Sequence, residues 1–286
     1  MKISRSIFVA VLMLGAASAL VAHPPVALVM DRRGNVFYSD LERVWMIGPD
    51  GKKSVAVPNV HTHELGLDAT GNLYGEHLWY EGDATKQWGH RVWRRTPEGR
   101  VTDVIPARRG FPSGYGFARD AAGSTYWTDK GTPARFFKQS PSGEVSTVAV
   151  CRDCREVRWM TAAPDGTLYF LDAGELKEIS REGGFRTRTS GLARRRWTQP
   201  QVNAQHRVMG VWTDGAANVY AAVFGSREVV RVSPDGRMQT VASSRLPWSP
   251  TGGLVAANGD LWILECSYTN AVRVRRIARD GKVTVF

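Results

Sequence analysis

A short turn followed by an aromatic residue returns six times along the chain, and no other feature restricts the fold as much. The turns run Asp31 to Asn35, Asp68 to Asn72, Asp120 to Ser124, Ala163 to Thr167, Asp214 to Asn218 and Ala256 to Asp260. Glycine holds the fourth place in every copy but the fifth, which has Ala217. Three residues further on stands an aromatic each time: Phe37, Tyr74, Tyr126, Tyr169, Tyr220 and Trp262. Asp and Asn side chains cap nearby amides and glycine accepts positive φ, so the repeated element reads as a tight turn between two strands.

A second turn follows each copy, at Pro49-Asp-Gly51, Pro97-Glu-Gly99, Pro141-Ser-Gly143, Glu182-Gly-Gly184, Pro234-Asp-Gly236 and Arg279-Asp-Gly281. Between the two turns lie β-rich runs such as Val44 to Ile47 and Val229 to Val232, and a short strand such as Val101 to Ile105 closes the unit. Each unit is therefore expected to form four antiparallel strands, a, b, c and d, and successive units are spaced about 45 residues apart. Four-stranded units at this period are propeller blades, so the expected fold is all-β, one six-bladed β-propeller domain over 23–286. A solenoid would need distinct polar caps at its ends, and none is visible. The first blade begins on a strand a near Val26 and the last ends on a strand d at Phe286, so blades one and six are expected to meet without exchanging a strand.

Residues 1–22 read as a secretory signal: Lys2 and Arg5, an apolar run from Ile7 to Leu14, then Ala17-Ser18-Ala19. A periplasmic or secreted protein is expected, with no lipid-bearing cysteine near the cleavage point and no transmembrane segment after the signal. Hydrophobic residues make up 43% of the chain, enough for a substantial core, and the net charge of +11 favours anionic ligands over cationic ones. Nucleic acid is not an expected partner at that address, and a monomer is expected. Two readings stand for the cysteines: a disulfide between Cys151 and Cys154 with Cys266 as a buried thiol, or a three-cysteine zinc site. No His follows Cys154, which excludes covalent haem attachment.

The a–b and c–d turns are short, whereas the b–c and d–a connections share the opposite face and hold every long insertion, including Trp79 to His90, Val150 to Glu156 and Ser190 to His206. Binding residues on a rigid scaffold are expected among such loops. The Asp-x-x-Gly-Asn pattern with its following aromatic and its Pro-Asp-Gly turn resembles the NHL-repeat propellers and the gluconolactonase-like family, over Val26 to Phe286. The resemblance implies a site at six strand-a positions, here Val26, His63, Tyr115, Arg158, Met209 and Thr251. The family fills several of these with carboxylates and amides suited to a hard cation; this chain offers one His, one Arg and two apolar residues.

Two residues earlier come Pro24, His61, Ser113, Glu156, Arg207 and Ser249, and two residues later a mostly apolar set that includes Leu28, Leu65 and Met160. By strand periodicity this predicts a polar ring at the channel mouth above an apolar plug. Tyr115, Arg158, Arg207, Thr251 and His206 are the expected ligand-binding residues, for an anionic small molecule, a saccharide or a protein partner. The alternative is a metal-dependent hydrolase or lyase, with a divalent metal on His61, His63 and His77 and with Glu64 or Glu76 as ligand or general base. The strand-b ends Asp40, Asp129, Asp172 and Glu265 read as loop caps or partners of arginine. Trp79, Tyr80, Trp88 and Trp248 read as a stacking rim or as blade packing.

Overall fold

The turns repeat at the level of single hydrogen bonds. In each a–b turn the first residue donates its amide to the carbonyl four residues on, as Asp31 does to Asn35 at 3.0 Å, and each c–d turn does the same, as Gly48 does to Lys52 at 2.9 Å. In eleven of the twelve turns the residue three places on, always glycine, donates back to the first carbonyl. Those glycines have φ between +78° and +99°, the left-handed residue that ends a three-residue hairpin loop. The exception is Ala217, held at φ +57° without that closing bond.

The computed structural model describes residues 24–110, 118–120, 122–129, 131–195 and 206–286. The expected signal, 1–22, and Tyr115 lie outside the described residues. Blade one comprises β1 (Leu28–Met30), β2 (Val36–Ser39), β3 (Arg43–Ile47) and β4 (Lys53–Pro58). Blade two comprises β5 (Leu65–Leu67), β6 (Leu73–Tyr80), β7 (Trp88–Arg95) and β8 (Val101–Arg109). Blade three has β9 (Ala118–Arg119), β10 (Thr125–Thr128), β11 (Ala134–Gln139) and β12 (Val145–Cys151), and blade four β13 (Val157–Ala162), β14 (Leu168–Asp172), β15 (Glu175–Ile179) and β16 (Phe185–Thr189). Blade five has β17 (Val211–Thr213), β18 (Val219–Val223), β19 (Glu228–Val232) and β20 (Met238–Ser243), and blade six β21 (Trp248–Val255), β22 (Leu261–Ser267), β23 (Val272–Ile277) and β24 (Val283–Val285).

Every blade is a four-stranded antiparallel meander in chain order, so the six-bladed propeller closes with no strand exchanged between blades one and six. The join is made by packing: the Phe286 ring lies 5.5 Å from Trp262, and a side chain at Gly51 of blade one would meet that ring at 3.4 Å. In three blades the aromatic after the a–b turn is locked by the turn itself. Tyr74, Tyr126 and Tyr220 donate their hydroxyls to Asp68, Asp120 and Asp214 at 2.9–3.0 Å. Blade four has Ala163 in the Asp place, and there Tyr169 accepts from Arg188 at 2.9 Å instead. Trp93, Phe136 and Phe170 are fully buried between sheets, each contributing roughly 2 kcal/mol of burial.

Candidate functional site

In blade two the ladder between β5 and β6 covers only Leu65 to Leu67. The chain just before it, 61–64, is fastened largely by side chains. Glu76 Oε1 accepts the His63 amide at 2.5 Å and the Glu64 amide at 3.3 Å, and His77 Nδ1 accepts the His61 amide at 2.8 Å. The Thr62 hydroxyl donates to the Glu76 carbonyl at 2.5 Å, a carbonyl that Trp93 Nε1 also reaches at 3.1 Å. A buried amide left without an acceptor costs roughly 1–3 kcal/mol, so these polar residues do the work that a longer ladder would do.

That arrangement does not, among the described residues, assemble the metal centre of the alternative reading. Among the described residues no three His, Cys, Asp or Glu side chains gather as a metal would require. The rings of His61 and His63 meet edge to face at 4.8 Å, while His77 directs Nδ1 to the backbone and lies 5.6 Å from Trp79, stacked on it. Burial, helped by His63 at His61 and by Arg91 at His77, holds both imidazoles below their ordinary pKa. Glu64 and Glu76, expected as catalytic groups, are only 7% and 2% exposed. Glu76 binds amides, whereas Glu64 lines the central cavity.

This cavity, about 500 Å³, is walled by the six inner strands and reaches the a–b turns at Asp31, Arg32 and Ala257. Its extent therefore differs from the expected mouth on the loop-rich face. Near that face the inner strands of blades five, six and one approach backbone to backbone: a Cβ on Gly252 would lie 1.8 Å from Val26 O, and one on Gly210 2.7 Å from Thr251 O. Met209, Ser249 and Thr251 are buried there. Thr251 was expected to bind ligand, but it sits at a β-bulge between the Pro250–Glu265 and Gly252–Leu264 pairs. A bulge reverses the alternation of side chains, and the Thr251 hydroxyl turns inward to Leu264 O at 3.4 Å.

Of the other expected ligand residues, Arg158 and Arg207 come together, between blades four and five. Glu156, Arg158 and Arg207 line a separate cavity of about 240 Å³, with Leu171, Ala193 and Val208 as apolar wall. Arg158 directs Nε and Nη2 to one oxygen of Glu156, Oε1, at 2.8 and 2.6 Å. The backbone beneath is fixed by Asp172, whose Oδ1 accepts the amides of Glu156 and Arg155 at 2.7 and 2.8 Å and whose Oδ2 meets Lys177 at 2.5 Å. Burial alone would raise the Asp172 carboxyl, but those amides and the ammonium bring it below the usual range. The β14–β15 turn, with Ala173 at φ +50° and Gly174 at +82°, supplies the floor, and Ala173 donates its amide to Glu156 O at 3.1 Å. His206 lies within electrostatic reach: burial first, then the Arg158 charge, hold its imidazole below the ordinary value, with Glu156 acting the other way. Sequence periodicity placed Arg158 and Arg207 on this face but gave no sign of the β14–β15 turn as a wall.

The remaining strand-b ends are caps and ion pairs, as expected. Asp40 accepts the amides of Glu42 and Arg43, Asp129 that of Arg135, and the fully buried Glu265 binds Arg273, Arg275 and Ser244. Of the aromatics, Tyr80 and Trp88 pair at 5.1 Å on the long β6–β7 hairpin, and Trp248 packs under Arg273. Cys151 and Cys154 form a disulfide, which removes the three-cysteine zinc alternative, and Cys266 is a free, buried thiol whose pKa burial pushes up to about 11.

No protein-family model and no curated relative matches the chain. Solved structures do. A virginiamycin B lyase from Staphylococcus aureus is 14% identical, with a TM-score of 0.53 over 92% of this chain and 84% of the other. A candidate gluconolactonase is 16% identical, with a TM-score of 0.57 over 83% and 84%. An auxiliary nutrient binding protein from Bacteroides thetaiotaomicron is 10% identical, with a TM-score of 0.61 over 92% and 69%. Likeness at this level of identity speaks to fold alone, and on that ground the chain is a six-bladed β-propeller of the architecture these gluconolactonase-like, lyase and binding proteins share.

Proposed function

We propose that the protein is an exported binding propeller that captures an anionic small molecule in the cavity between blades four and five. The observation that carries this reading is the convergence of Arg158 and Arg207 on one 240 Å³ space with an apolar wall, with His206 within electrostatic reach of Arg158. Guanidinium groups present several donors in a planar fork suited to carboxylate or phosphate. Export is supported by the leader-like residues 1–22 and by the Cys151–Cys154 disulfide, a bond that persists in oxidising compartments. The nutrient binding protein of the same fold offers a precedent for ligand binding on this architecture. The competing reading, a metal-dependent hydrolase or lyase on His61, His63 and His77, is weakened by the engagement of Glu76 and His77 with the 61–64 backbone. Thermal-shift and calorimetric titration of purified protein with small carboxylates and phosphates tests the proposal. Binding that saturates with one site and is lost in the Arg158→Ala, Arg207→Ala double variant is expected; binding untouched by that variant would overturn it.

A further inference from the structure

The cavity between blades four and five is not lined by positive charge alone. Glu156 projects into it beside Arg158, and both Arg158 contacts fall on the same carboxylate oxygen, Oε1. Oε2 has no partner among the described residues. A carboxylate that served only to position Arg158 would be expected to meet the guanidinium with both oxygens, the fork-to-fork geometry such pairs favour. Here one oxygen orders the arginine and the other remains available to a donor. The backbone of Glu156 is held by Asp172 Oδ1 and by the Ala173 amide, so the carboxylate is presented from a fixed point rather than from a loose loop. The remaining wall, from Leu171, Ala193 and Val208, is aliphatic.

On the reading that this cavity binds an anion, we infer that its ligand is zwitterionic: an α-amino acid with a small aliphatic side chain. Its carboxylate meets the guanidinium groups of Arg158 and Arg207, its ammonium meets Glu156 Oε2, and its side chain lies on Leu171 and Val208. The volume equals that of about eight water molecules, which suits a molecule of that size and excludes a long peptide or an oligosaccharide from full enclosure.

Three probes separate the parts of this inference: L-leucine, its deaminated analogue 4-methylpentanoate, and its decarboxylated analogue isoamylamine, each titrated by calorimetry into the whole protein at neutral pH. L-leucine is expected to bind at least about tenfold more tightly than 4-methylpentanoate, the worth of one charge-assisted contact, and isoamylamine not measurably. In Glu156→Gln the two carboxylates are expected to converge, with 4-methylpentanoate gaining affinity because Arg158 loses its internal partner. Equal affinity of leucine and 4-methylpentanoate for the native protein would overturn the zwitterion inference and leave the anion reading standing. A leucine preference that survives Glu156→Gln would also overturn it. Failure of both carboxylates to bind would also overturn it, and the phosphate titrations would then decide the anion reading separately. The comparison in the native protein decides the matter should the variant fold poorly.

Discussion

The Glu76 carboxylate accepts the amide of His63 at 2.5 Å, with both side chains buried, and this contact explains why blade two looks unlike its five siblings. What reads as a cluster of ligands is a fastening for residues 61–64, where the ladder is short. Removing the carboxylate in Glu76→Ala strands the amides of His63 and Glu64, so unfolding free energy is expected to fall by about 3 kcal/mol. Glu76→Gln, which keeps one acceptor, should lose roughly half as much. Urea denaturation of the three proteins measures this, and an alanine variant as stable as the parent would contradict it.

Ala217 occupies the place where the other five a–b turns have glycine, at φ +57°. A left-handed conformation costs an L-residue roughly 1–2 kcal/mol, whereas glycine gives back roughly 0.5–1 kcal/mol through the entropy of the unfolded chain. Ala217→Gly is therefore expected to stabilise by about 0.5–1 kcal/mol, raising the melting temperature by a degree or two. A lowered melting temperature would show that the Ala217 methyl makes a contact worth more than the strain.

The architecture was legible because it rests on local chemistry repeated six times. Asp68, Gly71 and Tyr74 announce a turn and a locked aromatic wherever they recur, and nothing distant has to be known. The site was legible only in part. Arg158 and Arg207 were placed on the right face by counting, although a bulge also follows Arg158 and Arg207 precedes β17, whereas at Thr251 the bulge turns the side chain into the core, and a bulge leaves no mark in a run such as Ser249-Pro-Thr-Gly-Gly253. His77 illustrates a different reason. An imidazole that accepts a backbone amide, as His77 does from His61, and an imidazole that binds metal have the same spacing in a sequence, and they differ only in where the ring nitrogens point.

The disulfide closes a loop of four residues from Cys151 to Cys154, and chain entropy alone assigns so short a loop about 2 kcal/mol. The Cys151→Ser, Cys154→Ser double variant is expected to fold, with a loss of stability of that order. The native protein should show no thiol reactive toward a disulfide reagent at pH 8, since Cys266 is buried with its pKa pushed up to about 11. One thiol should appear on denaturation. Rapid labelling of the native protein would mean that Cys266 is reached through an opening of blade six.

His206 supplies a pH signature for the proposed site. Burial and the Arg158 charge hold its imidazole below the ordinary value, so the unfolded chain takes up this proton more readily than the free fold. The group therefore removes stability as pH falls through about 6.5 and below. A bound anion reverses the sign, because it favours the imidazolium beside it and the complex takes up the proton more readily than the free protein. Affinity for an anion whose own charge does not titrate, such as a small alkylsulfonate, is expected to be level above about pH 7. Below that it should rise as the pH is lowered, by at most about tenfold per unit for one coupled proton. His206→Gln should flatten the profile without abolishing binding, since the guanidinium groups remain. Calorimetric titrations between pH 5 and pH 8 on both proteins measure the difference, and a native profile as level as the variant's would place His206 outside the binding site.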